Sequence, residues 1–464
     1  MRALPAFGRV VSAQENTDVV VVGAGLAGLN AALLLEEEGF KVIVLEGKNR
    51  AGGRVYTLDD LPGHPEAGGN GIGPNYARLR DAANRFGVKL IPVRPRTESP
   101  ADGTMLHIDG RSILPEQWKD APENPLPAEF KDRPPAFLWT TVFGAMNPLP
   151  RDLEAWLRPE SAEYDVPAYV FLKSRGFSDA AVRLCLETNH SYATDMRQIS
   201  ALMLFQILTV SSFFGQGSAF AALGGNQRIP DAMAKGVKSG VRFGKTVQTI
   251  SADAKAPLTT VTCADGSRYR AKRVVLTAPL SAARLIHIDP PLSGAQAKAM
   301  AQLPYTRVFQ IHFVPKRPFW KDDSLPSNMW TDTVVGRFQA LKYGSNPEDV
   351  TSCLTYANGH VADRLDRLEP ADATSLVLAE LERIRPATRG QLQPVKVVSW
   401  QRDVHAGGVY AAWAPGHITA FANGMSLPDG RLHFAGEHTA RLQRGMEGAM
   451  ESGERVALEV LEKL

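Results

Sequence analysis

The chain's first long apolar run, Val19, Val20, Val21 and Val22, is unbroken and β-branched, the pattern of a strand covered on both faces, and it stops at a glycine-rich turn. Residues 26–38 follow with Leu29, Ala32 and Leu33 at helical spacing and few β-branched residues, and Gly39 supplies a left-handed stop. Residues 41–45 then read as a second strand. Further on, the pattern predicts a helix over 76–86, with Leu79, Ala83 and Phe86 in phase, and a strand over 241–250. It also predicts a hairpin over 261–270 turning at Asp265-Gly266 and a buried strand over 273–279 stopped by Pro279. Residues 307–313 alternate, placing Val308, Gln310 and His312 on one face and Phe309, Ile311 and Phe313 on the other. Leu432 to Ala440 reads as a last parallel strand, a glycine turn with Gly436, and an acid, Glu437. A final helix opens at Gly445-Met446-Glu447-Gly448-Ala449 and continues through Val456 and Val460.

The turn after the first strand carries Gly23, Gly25 and Gly28 in G-x-G-x-x-G spacing, each with its own task. Gly23 allows the tight turn, Gly25 lets a pyrophosphate approach bare backbone, and Gly28 lets the helix lie close to the sheet. The amides at the helix start, around Ala27, are unpaired and partly positive, so an anion is satisfied there without a lysine. Glu46, eighteen residues after Gly28 and at the end of the second strand, is placed to accept hydrogen bonds from a ribose. Strand, helix, second strand and acid in register point to a bound dinucleotide. Arg50-Ala51-Gly52-Gly53-Arg54 adds a second backbone approach between guanidinium forks suited to phosphate oxygens. Residues 66–74, with Gly68, Gly69, Asn70, Gly71 and Gly73, read as a loop passing close to a flat ligand.

These motifs together resemble the flavin amine oxidases, the family of monoamine oxidases, polyamine oxidases and L-amino acid oxidases, in which the R-x-G-G-R element lines the FAD diphosphate. The resemblance implies FAD as cofactor and a Rossmann-type α/β FAD-binding domain interleaved with an α+β substrate-binding domain. It extends to Gly224-Gly225-Asn226-Gln227, to Val247 as the residue whose backbone meets adenine, to Glu437 as a ligand of the ribityl chain or of a phosphate-side hydroxyl, and to Met446 at the start of the final helix. Trp400 and the segment ending Gly407-Gly408-Val409-Tyr410 resemble the family's W-x(n)-G-G-x-Y. There Tyr410 matches one wall of an aromatic cage that aims an amine at the flavin. The second wall falls at Gly445, with Trp413 a candidate substitute. Val409 stands where the monoamine oxidases carry a flavin-bonded cysteine, which implies non-covalent FAD. Aligned through Pro318-Phe319-Trp320, Gln310 takes the place of a lysine associated with the oxygen reaction; it can hold a water but supplies no charge.

The size of the chain, 464 residues with 44% hydrophobic content, allows two or three domains. The expected division gives residues 15–75, 222–280 and 395–464 to FAD and residues 76–221 and 281–394 to a substrate domain. The stretch from 90 to 220, with prolines clustered between Pro115 and Pro150, reads as mainly helical with long loops. A net charge of +3 without a basic stripe speaks against nucleic acid. No apolar run reaches the length of a membrane span. Cys185, Cys263 and Cys353 are scattered in no metal-ligand or C-x-x-C spacing, and His433 and His438 lack an H-E-x-x-H pattern, so neither a disulfide framework nor a metal site is expected. The first seventeen residues read as a short arm, and a cytoplasmic setting follows, or a periplasmic one should a leader have been removed.

The reaction these residues imply is hydride removal from the carbon next to a neutral amine, with Tyr410, Gln310 and Trp400 at the reacting end. The imine hydrolyses to an aldehyde or ketone, and oxygen, giving hydrogen peroxide, or another acceptor reoxidises the flavin. Three other readings stay open. One is an L-amino acid oxidase, with Arg78, Arg80 or Arg444 as a carboxylate clamp. Another is a carbon–carbon desaturase, which has no need of Tyr410. The third is a flavin-bound interaction module without turnover. The amine and the oligomeric state, homo-oligomer included, are not read from the sequence.

Overall fold

In the computed structural model, residues 14–93, 103–187, 195–213, 219–253, 255–343 and 349–464 are described. Strand β1, Gln14–Val22, extends further back than the apolar run alone indicates, so residues 14–17 belong to a strand and not to an arm; residues 1–13 lie outside the described part. Val19 and Val21 enter a core with helix α1, Leu26–Glu37, whereas Val20 and Val22 enter a second core with Ile250, Val274 and Phe434. Two covered faces explain why the run does not alternate. Helix α1 is sandwiched in turn by the C-terminal helix Gly445–Leu461, where a Cβ at Gly453 would sit 2.4 Å from the Ala27 carbonyl oxygen.

The first sheet runs His287–Asp289, Val247–Ser251, Thr259–Cys263, Arg268–Leu276, β1, β2 (Val42–Leu45), Val241–Arg242, with Leu432–Phe434 also pairing Arg268–Leu276. Its centre is parallel: β1 pairs with β2 and with Arg268–Leu276, which pairs with Leu432–Phe434. The expected strand over 241–250 is two strands on opposite sides of the sheet, because Gly244 (φ 67°) turns the chain between them. Conversely, the second arm of the Asp265-Gly266 hairpin and the buried strand after it are one strand, antiparallel to Thr259–Cys263 near its start and parallel to β1 throughout.

The second sheet runs Leu392–Ser399, Val308–Pro315, Ser352–Asn358, Arg337–Leu341, Asn328–Thr331, Thr104–Ile108, Arg111–Ile113. Its pairings are antiparallel except that of Thr104–Ile108 with Asn328–Thr331. The segment from 90 to 220 is therefore less helical than its pattern indicates. Its described residues include two strands of this sheet and a strand of a ribbon, Leu90–Val93 with Ala219–Ala222. Its longest helix among the described residues is Ala201–Phe213, with short turns such as Ala155–Leu157 and Asp179–Val182 elsewhere. The strand Leu392–Ser399, which the expected division splits at 394/395, lies wholly in the second sheet. Among the described residues no helix is long and apolar enough to cross a membrane.

Candidate active site

A cavity of about 760 Å³ runs from the β1–α1 turn to one face of the second sheet. At one end stand Gly23, Gly25, Ala27, Glu46, Gly52, Gly53 and Arg54; at the other, Gln310, Arg337, Tyr356 and Tyr410. Gly69, Asn70, Val247, Trp400, Gly436, Glu437 and Met446 line it as well. Gly28 does not, and its role is packing: a Cβ there would lie 2.0 Å from the Gly23 carbonyl oxygen. A Cβ at Gly25 would meet nothing within 4 Å, leaving open space before the start of α1, whose first amides have no side-chain cap.

The Glu46 carboxylate accepts the Ala24 amide on Oε2 and the Lys48 amide on Oε1, both at 2.8 Å, which fixes it across the turn. Each oxygen keeps a lone pair for a hydroxyl. The two arginines that flank the double glycine part company. Arg54 lines the cavity and donates to the Val409 carbonyl at 2.5 Å and to Glu437 at 3.4 Å. Arg50, expected to fork toward phosphate, turns back on its own loop, donating to the carbonyls of Ala51, Gly53 and Val55 and lying over the Tyr56 ring. Behind that loop, Gln227 donates to the Ala51 carbonyl, and Asn226 donates to the Gly69 carbonyl at 2.6 Å. This explains Gly224-Gly225-Asn226-Gln227 as a brace for both glycine loops.

Glu437 is 4% exposed; its Oε2 accepts the Ala411 amide while Oε1 is buried without a partner. A buried unpaired carboxylate oxygen at a cavity wall costs free energy that a ligand hydroxyl relieves. Trp400 is held by an indole N–H donated to Ala67 at 2.9 Å and packs under Gly68, where no Cβ fits. Met446 opens the C-terminal helix beside Gly69.

Tyr410 is fixed by backbone. Its N–H donates to Thr306 Oγ1 at 3.1 Å and its carbonyl accepts the Thr306 amide at 2.8 Å. That docking needs Gly408, at φ 143°, because a Cβ there would lie 2.5 Å from Tyr305 Cβ. Gln310 is 2% exposed, and its Oε1 faces His312 Nε2 at 3.3 Å. Burial pushes the His312 pKa down to about 4, so the ring is neutral and donates from Nε2 to Gln310. The Gln310 NH2 group is thereby left for the cavity.

Opposite the expected second cage wall, Trp413 is not at the cavity at all. It packs against Trp156 and Phe421 in the core. The group nearest Gly445 is the Tyr76 hydroxyl, 3.8 Å from where a Cβ would stand, and Tyr76 lines the cavity. Tyr76, Tyr356 and Arg337 were not singled out by sequence. Tyr76 read as the first residue of a helix, and the other two face the cavity only through strand pairing. Of the arginines proposed as a clamp, Arg78 is tied to Glu447 and Glu454, and Arg80 donates to Pro74 and covers Phe220. Arg444 lines the cavity and donates to Gln206 at 2.9 Å. Among the described residues no three His, Cys, Asp or Glu side chains gather as a metal site, and the three cysteines are buried and free.

Residues 26–461 match the family described as flavin containing amine oxidoreductase. The chain belongs to that family. It is an FAD-dependent oxidoreductase acting on CH–NH or CH–NH2 donors. Among curated relatives, it is 26% identical to human amine oxidase [flavin-containing] B, covering 96% of this chain and 86% of that one. Identity to amine oxidase [flavin-containing] of Oncorhynchus mykiss is also 26%, over 97% and 87%. The fold is shared with wild-type putrescine oxidase bound to putrescine (TM-score 0.75, 22% identity, 97% and 100% covered). Cyclohexylamine oxidase from Brevibacterium oxydans shares it too (TM-score 0.75, 21% identity, 96% and 99% covered). The open backbone at Gly25, the fixed Glu46 and the orphaned Glu437 oxygen in one continuous cavity fit FAD.

Proposed function

We propose that the chain oxidises an amine held between Tyr410 and Gln310, with FAD bound non-covalently along Gly25, Glu46, Gly52, Gly53, Arg54, Val247 and Glu437. The supporting observation is continuity: Tyr410 and Gln310 line the same cavity as Gly25 and Glu46. FAD, when bound, supplies the acceptor for the hydride leaving the carbon next to nitrogen. Tyr410 orients the amine through its ring face, and Tyr76 stands as the second aromatic wall in place of Gly445. Gln310, braced by neutral His312, offers an N–H to a water. No side chain acts as a strong base, because an amine that enters deprotonated brings its own lone pair. The imine hydrolyses to an aldehyde or ketone, and oxygen or another acceptor takes the electrons. Val409 offers no nucleophile to the flavin. The division into an FAD domain in three segments and a substrate domain in two belongs to the same proposal.

Anaerobic mixing of the FAD-loaded protein with primary, secondary and polyamine substrates tests the reading. One or more should bleach the flavin absorbance, and Tyr410→Ala should slow that step by about 10- to 100-fold, the size of effect expected from losing an orienting contact. A flavin inert to the whole panel contradicts it.

A further inference from the structure

We infer that Arg337 anchors a carboxylate on the substrate, so that the site prefers amines that also carry an acid group over plain amines and diamines. This rests on the cavity being the amine site. Strand pairing aligns Gln310 with Tyr356 and Tyr356 with Arg337, a row of three on the cavity face of the second sheet. At ordinary strand spacing the Arg337 backbone is about 10 Å from that of Gln310. The guanidinium leans back toward Gln310, its Cζ 4.4 Å from the Tyr356 ring centroid.

Stacking satisfies its face and leaves its edge. Arg337 Nε is buried without a hydrogen-bond partner, and among the described residues no carboxylate pairs with the group. Desolvation lowers its pKa, yet a guanidinium stays charged. A half-buried cation with an unpartnered Nε and no anion beside it is costly, and an entering carboxylate removes that cost with a planar, two-pronged fit. The rest of the wall agrees. The only carboxylates among the described lining residues are Glu46 and Glu437, each engaged at the FAD end, while Arg444 adds a second cation and Gln206 and Gln339 are neutral. The second ammonium of a diamine meets no acid here.

The test compares holoenzyme reduction by matched pairs: phenylalanine against phenethylamine, with the acid on the reacting carbon, and 6-aminohexanoate against pentylamine, with the acid at the far end. One acid-bearing member should exceed its partner in kcat/KM by at least about tenfold, the worth of a charged hydrogen-bonded contact. Which pair responds places the acid near or far from the amine. Arg337→Gln should erase that preference mainly through KM, with Arg337→Lys retaining part of it. Hexanoate and phenylacetate, which cannot be oxidised at an amine, supply an independent readout. At least one should perturb the oxidised flavin spectrum saturably in the wild type, weakening about tenfold or more in Arg337→Gln at unchanged FAD content. Equal or better use of both plain amines, or a preference that Arg337→Gln leaves intact, overturns the inference while amine oxidation stands. Reduction by no amine of either kind, with saturable Arg337-dependent carboxylate binding, overturns the amine-site reading instead.

Discussion

Gly25 and Gly28 are three residues apart on one turn and answer to different constraints. Gly25 faces open space, so a methyl group there harms only what approaches from the cavity. Gly28 is jammed against the Gly23 carbonyl, so a methyl group there forces the helix off the sheet. Gly25→Ala should leave the melting temperature of the FAD-free protein unchanged and weaken FAD uptake, read by fluorescence quenching. Gly28→Ala should cost about 1–3 kcal/mol of fold stability, the usual range for overpacking. Equal melting temperatures for the two would refute the assignment. His312 carries a pH signature. With its folded pKa pushed down to about 4 from an ordinary 6.5, the unfolded chain takes up the proton first as pH falls. Its contribution to stability is complete above about pH 6.5 and is lost as pH drops toward 4, a total of about 3 kcal/mol. Denaturant unfolding across that window should show a pH slope that is shallower in His312→Gln than in the wild type; parallel slopes would count against a buried neutral ring.

At the scale of elements, the pieces that hold the cavity are stitched by side chains from far along the chain. Helix α2, Ala77–Arg85, begins beside the cavity at Tyr76 with no cap of its own. The Glu447 carboxylate, on the C-terminal helix, accepts the amides of Arg78 and Leu79, each at 3.1 Å, and so serves as the missing cap. Glu447→Ala should cost about 1–2 kcal/mol, as cap deletions do, and raise amide exchange at Arg78 and Leu79. Unchanged exchange there would show that α2 is held by packing alone. The β1–α1–β2 unit was legible because its signals are local: β-branched runs, helical phase, a cap and glycines within one short stretch. The same holds for the hairpin at Asp265-Gly266 and the alternation around Gln310. Legibility ended where partners are remote. Nothing near Arg54 says that it turns into the cavity toward Val409 and Glu437, and nothing near Trp413 says that Trp156 will bury it.

Across the whole molecule, the two sheets are each assembled from separated segments, and one cavity joins them. The stretch from 90 to 220 read as helical because its strands are short and one of them, Thr104–Ile108, pairs with Asn328–Thr331, more than two hundred residues away. For the same reason Arg337 escaped notice: its strand alternates, with Phe338 and Ala340 inward, but the pairing that aims Arg337 at the cavity runs through Tyr356. What convergence should accomplish is the binding of one redox cofactor by residues as distant as Gly25, Val247 and Glu437. The direct measurement is the FAD content of protein purified after expression with ample riboflavin, followed by acid precipitation. The account predicts a yellow protein with about one FAD per chain, all of it released to the supernatant since Val409 forms no bond to it. A colourless protein that takes up no added FAD would contradict the account at its root.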